Sequence, residues 1–273
     1  TGSAAVEFCA YQTMLYGMIK ISIKIAVALV AFAAVAGAAL AFHSWGGYHW
    51  ARPSNPFTLK LGDNVSGAWD ATLATASNDW SASDVLDTTI VAGLANPKNC
   101  KAVTGRVEVC NSKYGNNGWL GLAQIWITGG THITKGAVKL NDTYFNTPAY
   151  NTQAWRNLVA CQEIGHTLGL DHQDENFNNA NLGTCMDYTN NPSTNQHPNA
   201  HDYEELGIIY GHLDSFATLL SGTIGKNNAG AEASLSDAEL GTVLKKDSRG
   251  RPSLYGRDIG KGEKLFTFVY WAE

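Results

Sequence analysis

The sequence predicts an α+β fold, in which strands and helices are grouped rather than alternating regularly. Strand-like segments and one helix come before residue 141, and the two best further helices, over 152–170 and 201–213, come after it. No internal repeat is present. This order does not fit a purely parallel, alternating α/β sheet.

Composition predicts one catalytic domain of ordinary size with extensions. The chain has 273 residues, of which 44% are hydrophobic, so a sizeable core can form. Only 16% are charged, below the roughly 25% of an average soluble protein, so Asn, Thr, Ser and Gly must cover much of the surface. With a net charge of −5, we expect no nucleic-acid partner and no polybasic membrane contact.

The amino-terminal region has the pattern of a secretory signal. Lys20 and Lys24 form a short basic start, a charge-free apolar run covers 25–38, and Ala-Leu-Ala at 39–41 fits a small-x-small cleavage site. Cleavage there makes Phe42 the first mature residue. A membrane anchor is the alternative, because the apolar run approaches the length of a short span.

The first predicted elements are strands separated by turn-forming residues. Residues 48–50 are strand-like before two prolines, and 57–61 alternate apolar and polar side chains. Helical spacing of large apolar residues predicts a helix over 69–80, and β-branched residues predict a strand over 86–91. The segment 100–110 is predicted to be a short hairpin closed by its own disulfide.

The later elements include the longest helix. Residues 120–127 are a strongly apolar strand, and 132–140 alternate again. The helix over 152–170 has a continuous apolar face, 173–200 form an Asn- and Pro-rich loop, and the helix over 201–213 opens with acidic residues.

The carboxy-terminal region changes in composition. Gly, Ala, Ser and Asn dominate 221–236, which indicates a linker, and 264–271 are strand-like.

Cysteine usage agrees with export. Cys9 precedes the predicted signal, which leaves Cys100, Cys110, Cys161 and Cys185 in the mature chain. Four cysteines allow three pairings, and neighbours in sequence are favoured: Cys100 with Cys110, and Cys161 with Cys185. An oxidising compartment permits both bonds, and four free buried thiols are the alternative.

The pattern Q-E-x-x-H-x-x-G-x-x-H begins at Gln162. Gln162 and His166 are four residues apart and face the same side of a helix, with Glu163 beside that face. Gly169 permits a left-handed turn that ends the helix, so that His172 can supply a third ligand from outside it. Three protein ligands and an open position are the arrangement of a catalytic zinc site.

A tight turn at 183–188 follows and contains Met186. Together, the motif and this turn resemble the metzincin zinc metalloproteases of matrixin and astacin type, which share H-E-x-x-H-x-x-G-x-x-H and a methionine turn. The resemblance is specific over 161–188 and extends over about 48–213. Gln162 stands where the family has its first histidine.

The resemblance implies a metzincin-like fold with a twisted, mostly parallel sheet, an antiparallel edge strand, two long helices and a methionine turn. It implies a secreted endopeptidase that binds Zn²⁺ and hydrolyses peptide bonds through a metal-bound water. The implied roles are zinc ligation by His166, His172 and Gln162, general-base catalysis by Glu163, a floor formed by Met186, and a fifth ligand or transition-state contact from Tyr188.

The predicted organisation follows from the signal, the resemblance and the linker. Upstream sequence translated from an early start covers 1–17, the signal peptide 18–41, the metzincin-like metalloprotease domain 42–220, and a linker with a carboxy-terminal extension of unknown role 221–273. We expect a monomeric protein that acts on proteins or peptides and has no stable membrane association after signal cleavage.

Gln162 leaves an alternative open. Its amide oxygen is a weaker donor to zinc than an imidazole, so we expect a site that still forms but holds its metal less tightly. The alternative function is a catalytically inactive metzincin-fold protein that binds peptides or proteins.

Several other polar residues are alternative candidates for ligands. Asp171 is an alternative oxygen ligand, although the spacing favours His172. A calcium site formed by Gln173, Asp174, Glu175 and Asp187 competes with a solvated acidic loop, which is the favoured interpretation. Surface or capping roles are expected for five other histidines: His49, His132, His197, His201 and His212. Contact with the metal loop is the alternative for His197 and His201.

Overall fold

The computed structural model describes residues 42–219 and 240–273, and those from His43 onward lie in one compact unit. The predicted signal peptide, its upstream sequence and the predicted linker lie outside the described residues. Among the described helices, none has the length and apolar character needed to cross a bilayer.

The structure is a mixed α+β arrangement of one sheet and few helices. The strands are β1 His49–Trp50, β2 Phe57–Asn64, β3 Leu86–Ala92, β4 Val107–Ser112, β5 Trp119–Thr128, β6 His132–Asn141, β7 Thr242–Lys246, β8 Pro252–Gly260 and β9 Glu263–Trp271. The helices are α1 Ala68–Trp80, α2 Asp142–Phe145, α3 Gln153–Thr167 and α4 Ala200–Ile209, with a short 3₁₀ turn at Pro192–Thr194.

The sheet has a parallel half and an antiparallel half. Its strand order is β3-β2-β4-β6-β5-β9-β8-β7, and β1 pairs with the beginning of β6. The strands β3, β2, β4 and β6 run parallel, whereas β5, β9, β8 and β7 are joined by antiparallel pairings. The sequence therefore predicted the parallel strands but not the extent of the antiparallel half.

The antiparallel strand β5 is not the edge strand that the resemblance implied. Nine of its ten residues are buried, so both of its faces are covered. A strand buried in this way needs a backbone partner on each side, because its peptide groups cannot hydrogen-bond to water. Strand β9 supplies the second partner. The segment 221–273 thus contributes three strands to the same sheet rather than only an appended extension.

Helix α3 packs against β5 and is fixed at both ends. The Thr152 side chain accepts a hydrogen bond from the Trp155 amide at the start. The chain leaves the helix through Gly169, where φ is 102° and a Cβ would lie 2.3 Å from the Tyr48 carbonyl oxygen. Only glycine tolerates both the positive φ and this close approach.

The structure contains the two predicted disulfides, with sulfur–sulfur distances of 2.04 Å for Cys100–Cys110 and 1.99 Å for Cys161–Cys185. The predicted hairpin at 100–110 is wrong, because Cys100 lies in a turn and Cys110 in β4, which pairs in parallel with β2 and β6. The second bond joins α3 to the turn that carries Met186.

Helix α4 begins at a capping box and ends four residues earlier than predicted. Asn199 and Asp202 form a reciprocal capping box at its start. The helix ends at Ile209 instead of continuing to 213, because the following residues turn back toward Ala51 and Arg52. The Asp214 amide donates to the Arg52 carbonyl, and the Thr218 amide donates to that of Ala51.

Candidate metal centre

Two histidine rings meet at the end of α3. The Nε2 atoms of His166 and His172 are 3.0 Å apart, and both side chains are buried. His166 Nδ1 lies 2.8 Å from the Leu170 carbonyl oxygen, and His172 Nδ1 lies 3.0 Å from Glu175 Oε1. A carbonyl or a carboxylate can only accept a hydrogen bond, so each Nδ1 carries a proton. The two Nε2 atoms therefore face each other, and each offers a lone pair when its ring is neutral.

This arrangement favours a shared cation. Two lone pairs at 3.0 Å repel unless a proton or a metal ion lies between them. Ligands about 2.0–2.1 Å from a tetrahedral zinc ion are about 3.3 Å apart, so a small outward movement would fit the metal. Burial and the neighbouring His172 ring lower the pKa of His166 well below its usual range, which keeps this ring neutral as a ligand must be.

Gln162 offers a third donor on the same helix. Its Nε2 donates to the Cys185 carbonyl at 2.7 Å, which fixes the orientation of the amide. Its Oε1 is buried and has no hydrogen-bond partner within the described chain. An unpaired buried acceptor is costly, and a cation would satisfy it. The donor set of two imidazoles and one amide oxygen therefore fits a transition metal such as zinc.

Met186 lies beneath α3. A Cβ on Gly165 would come within 2.6 Å of the Met186 sulfur and 2.7 Å of the Trp80 ring. The helix thus passes so close to the methionine turn that only glycine fits at position 165, between the candidate ligands Gln162 and His166. The Met186 carbonyl accepts from the Gln173 amide at 2.7 Å, which ties the turn to the segment after His172.

Glu163 lies against the middle of the sheet. A Cβ on Gly121 of β5 would be 2.7 Å from Glu163 Oε1, so the carboxyl group occupies the space that this glycine leaves. Full burial raises the pKa of Glu163 well above its usual range. The nearby Tyr270 amide offsets part of this shift, although neither oxygen has a hydrogen bond of good geometry among the described residues. In this closed conformation, burial therefore favours the protonated form of the carboxyl group.

Tyr188 stands beside the histidines but is held by β9. Its ring lies 4.2 Å from the His172 ring, and its hydroxyl donates to the Val269 carbonyl at 3.4 Å. Burial raises the pKa of Tyr188 well above its usual range, with neighbouring Glu175 and Glu163 adding to the effect. This hydrogen bond ties the hydroxyl to β9, and its contact with a metal or a transition state stays a prediction.

A group of charges behind His172 was not predicted from the sequence. Lys245 of β7 lies 2.9 Å from Asp171 Oδ2 and 3.0 Å from Glu175 Oε1. Burial opposes the shift, but hydrogen bonds and charges from His172 and Lys245 lower the pKa of Glu175. Glu175 therefore stays ionised and orients the His172 ring, as carboxylates behind metal-bound histidines do. No local pattern links Lys245 to this site, 73 residues further along the chain than His172.

The four residues considered for calcium have protein partners. Gln173 donates to Asp202, Asp174 accepts from the Asn176 amide, Glu175 binds Lys245, and Asp187 accepts from the Leu182 amide. Asp171 directs its carboxylate to Lys245 rather than toward the facing Nε2 atoms.

Strand β9 covers the candidate centre. The Phe268 ring stacks on the His166 ring, with centroids 3.9 Å apart and planes 10° from parallel. His166 is only 1% exposed, and Gln162 and Glu163 are fully buried. In this conformation, the candidate ligands are closed to solvent.

A second cluster contains His49, His132, His212 and Asp214. His49 Nε2 lies 3.1 Å from His212 Nε2, and His132 Nε2 lies 3.3 Å from Asp214 Oδ1. Arg52 binds the other carboxylate oxygen at 3.0 Å. The expected surface or capping role is wrong for His49, which is buried. Only the pairing of β1 with β6 brings His49 opposite His132, and the local sequence does not show it.

The two remaining histidines have other contacts. His197 Nδ1 lies 2.8 Å from Asp79 at the surface, and its carbonyl accepts from the Cys185 amide. The His201 ring packs 4.9 Å from that of His43. Neither ring reaches the His166–His172 pair.

Comparisons with known proteins give a remote likeness only. No family model and no curated protein sequence matches the chain. Two solved structures of myroilysin are similar at 12% identity, each matching 59% of this chain. They are covered over 82% and 86% of their own length, with TM-scores of 0.34 and 0.32. A likeness of this degree is too distant to establish a family or an activity for this chain.

Proposed function

We propose that the chain is a secreted zinc-dependent endopeptidase with a metzincin-type centre. The observation that carries the proposal is the 3.0 Å approach of the His166 and His172 Nε2 atoms, each ring having its Nδ1 proton held by an acceptor. The orphaned Oε1 of Gln162 supports a third ligand. The disulfides fit an exported protein.

A peptide substrate is supported by the surroundings of the centre. Strand β9 is itself an extended polypeptide that lies over the candidate ligands through main-chain pairing with β5. A substrate chain can use the same backbone groups, since addition of a strand to a sheet edge is a common mode of peptide recognition. The substrate would then lie between β5 and the end of α3.

Different residues of the chain would bind the metal, transfer the proton and orient a ligand. His166, His172 and Gln162 would hold zinc, which when bound polarises a carbonyl and makes water more acidic. Glu163 would accept a proton from the attacking water and deliver it to the leaving nitrogen. Glu175 and Lys245 would fix the His172 ring. The buried surroundings strengthen each electrostatic interaction, because little water screens them.

The alternative is an inactive protein that binds peptides in the same cleft. Gln162 favours this reading, because an amide oxygen is a weaker zinc donor than imidazole. Retention of Glu163 favours the enzyme, because a buried carboxyl group without good hydrogen bonds is costly for a mere binding module.

Zinc content and peptide hydrolysis separate these functions. After dialysis against micromolar zinc, wild type is expected to retain one zinc ion at this centre, and His172→Ala none. His201→Ala, which alters a histidine outside the centre, serves as the matched control. Hydrolysis of a quenched-fluorescent peptide library that Glu163→Gln removes supports the enzyme. Zinc retention without hydrolysis in any variant supports the binding protein, and wild type without zinc contradicts the zinc-dependent enzyme.

A further inference from the structure

Strand β9 lies along β5 in an antiparallel register that has one irregularity, between Trp119 and Gly121. The pairing runs from Trp119 opposite Trp271 to Ile127 opposite Lys264, and it places Tyr270 opposite Gly121, the residue against which Glu163 packs. The covering strand is thus in register with the candidate site.

The side chains of β9 alternate between two faces. Phe266, Phe268 and Tyr270 join the main core on the side of α3, whereas Leu265 and Val269 enter two smaller clusters on the opposite face. This is the period-two pattern of a strand. One face of β9 therefore has three aromatic rings, of which Phe268 contacts the candidate ligand His166.

The contacts of β9 block access to the candidate centre. Phe268 stacks on His166, the Val269 carbonyl accepts from Tyr188, and the Tyr270 hydroxyl donates to the Thr189 carbonyl at 3.1 Å. A substrate carbonyl and a water cannot approach the histidine pair while Phe268 holds this position.

A second anchor lies on β7. Lys245 pairs with Asp171 and Glu175, and the Ser248 amide donates to the Glu175 carbonyl. The hairpin that ends in β9 is thereby attached to the segment that carries His172. Both candidate ligand histidines are thus linked to the carboxy-terminal strands. His166 contacts Phe268 of β9 directly, and His172 is linked to Lys245 of β7 through Glu175.

From this geometry we infer that residues 263–271 act as an intramolecular pseudo-substrate, which occupies the peptide-binding side of β5 and holds hydrolysis at a low basal level until it is displaced. This inference rests on the proposed function. The occupant is an extended, aromatic-rich segment of the same chain, and a peptide substrate competes with it for the same backbone groups of β5. Displacement breaks no covalent bond.

Two substitutions on opposite faces of β9 test the inference in the full-length chain. Phe268→Ala removes the ring that covers His166, and Leu265→Ala removes a fully buried side chain that faces away from the site. Phe268→Leu provides a milder variant that keeps an apolar side chain should the alanine variant fail to fold. With zinc saturating, we expect peptide hydrolysis by either Phe268 variant to rise at least tenfold over wild type, and hydrolysis by Leu265→Ala to change less than twofold.

A readout that needs neither zinc nor activity separates the two hypotheses. In metal-free protein, the rate at which diethyl pyrocarbonate modifies His166, followed by peptide mass spectrometry, is expected to rise at least tenfold in Phe268→Ala or Phe268→Leu and to stay within twofold in Leu265→Ala. Equal modification rates in all four proteins overturn the covering role. Faster modification of His166 without hydrolysis in any variant supports the covering role of Phe268 but contradicts the proposed peptidase. Equal hydrolysis by wild type and the Phe268 variants contradicts the pseudo-substrate and leaves the peptidase intact.

Discussion

The two histidine clusters have similar distances between facing Nε2 atoms but different hydrogen-bond partners around the rings. Facing Nε2 atoms are 3.0 Å apart in the His166–His172 pair and 3.1 Å apart in the His49–His212 pair. In the first pair, hydrogen-bond acceptors hold both Nδ1 protons. Such rings satisfy each other only when a proton or a metal ion lies between their Nε2 atoms, so this pair favours a shared cation.

The second cluster can satisfy itself with protons. His49 Nδ1 lies 2.8 Å from the Gly47 carbonyl, so its Nε2 accepts, and His212 can donate to it from Nε2. Asp214 already has Arg52 as its partner. Proximity of imidazoles is therefore a weaker sign of a metal site than the protonation state that their outer partners impose.

The largest expected contrast is between removal of one ring from each cluster. His166→Ala leaves one imidazole and a weak amide oxygen, so we expect zinc retention at this centre to be lost, together with peptide hydrolysis. His212→Ala should leave both unchanged, because its cluster needs no ion. Elemental analysis of dialysed protein measures the effect, and a loss of zinc in His212→Ala would reverse the comparison.

A second large effect distinguishes zinc binding from catalysis. Glu163→Ala should lower peptide hydrolysis by about 10²–10⁴-fold, the usual contribution of a general base, with zinc retention unchanged. Steady-state kinetics and elemental analysis of the same preparation measure both quantities. Equal hydrolysis by the variant and wild type would exclude Glu163 as the base.

An intermediate effect is expected from the partner of His172. Glu175→Gln keeps an acceptor for the Nδ1 proton but removes the charge paired with Lys245, so zinc should bind about 10–100-fold more weakly. Competition with a chromophoric chelator measures the affinity. Asp214→Asn is the matched change in the second cluster, and an equal effect of the two variants would show that the charge behind His172 has no specific role.

Sequence patterns predicted the features that depend on local spacing. The motif on α3, the turn at Met186 and the neighbouring cysteines lie within 28 residues of one another, and the structure brings them together. Strands β7 and β8 were not predicted. All but one of the β7 residues are exposed, and the strand shows no inside–outside alternation. The covering strand β9 was predicted as a strand, but its place beside β5 depends on contacts that are distant in sequence.

The smallest effect concerns Gln162, the residue at which the chain departs from the metzincin motif. Gln162→His should keep the fold and tighten zinc binding, because imidazole is the better donor, whereas Gln162→Ala should weaken it by leaving two ligands. We expect shifts of about tenfold in each direction, in the range by which partners of a metal site change its affinity. Chelator competition measures both, and identical affinities in the three proteins would show that Gln162 is not a ligand.

X-ray absorption at the zinc edge tests the central claim most directly, because it reports the atoms around the ion without requiring activity. For wild type loaded with one equivalent of zinc, the account predicts two imidazole nitrogens at about 2.0–2.1 Å with oxygen donors completing the shell. His172→Ala should lose one imidazole from that shell, while His212→Ala should leave the spectrum unchanged. A wild-type spectrum without imidazole scattering, or one that changes in His212→Ala and not in His172→Ala, would contradict a metal centre at the end of α3.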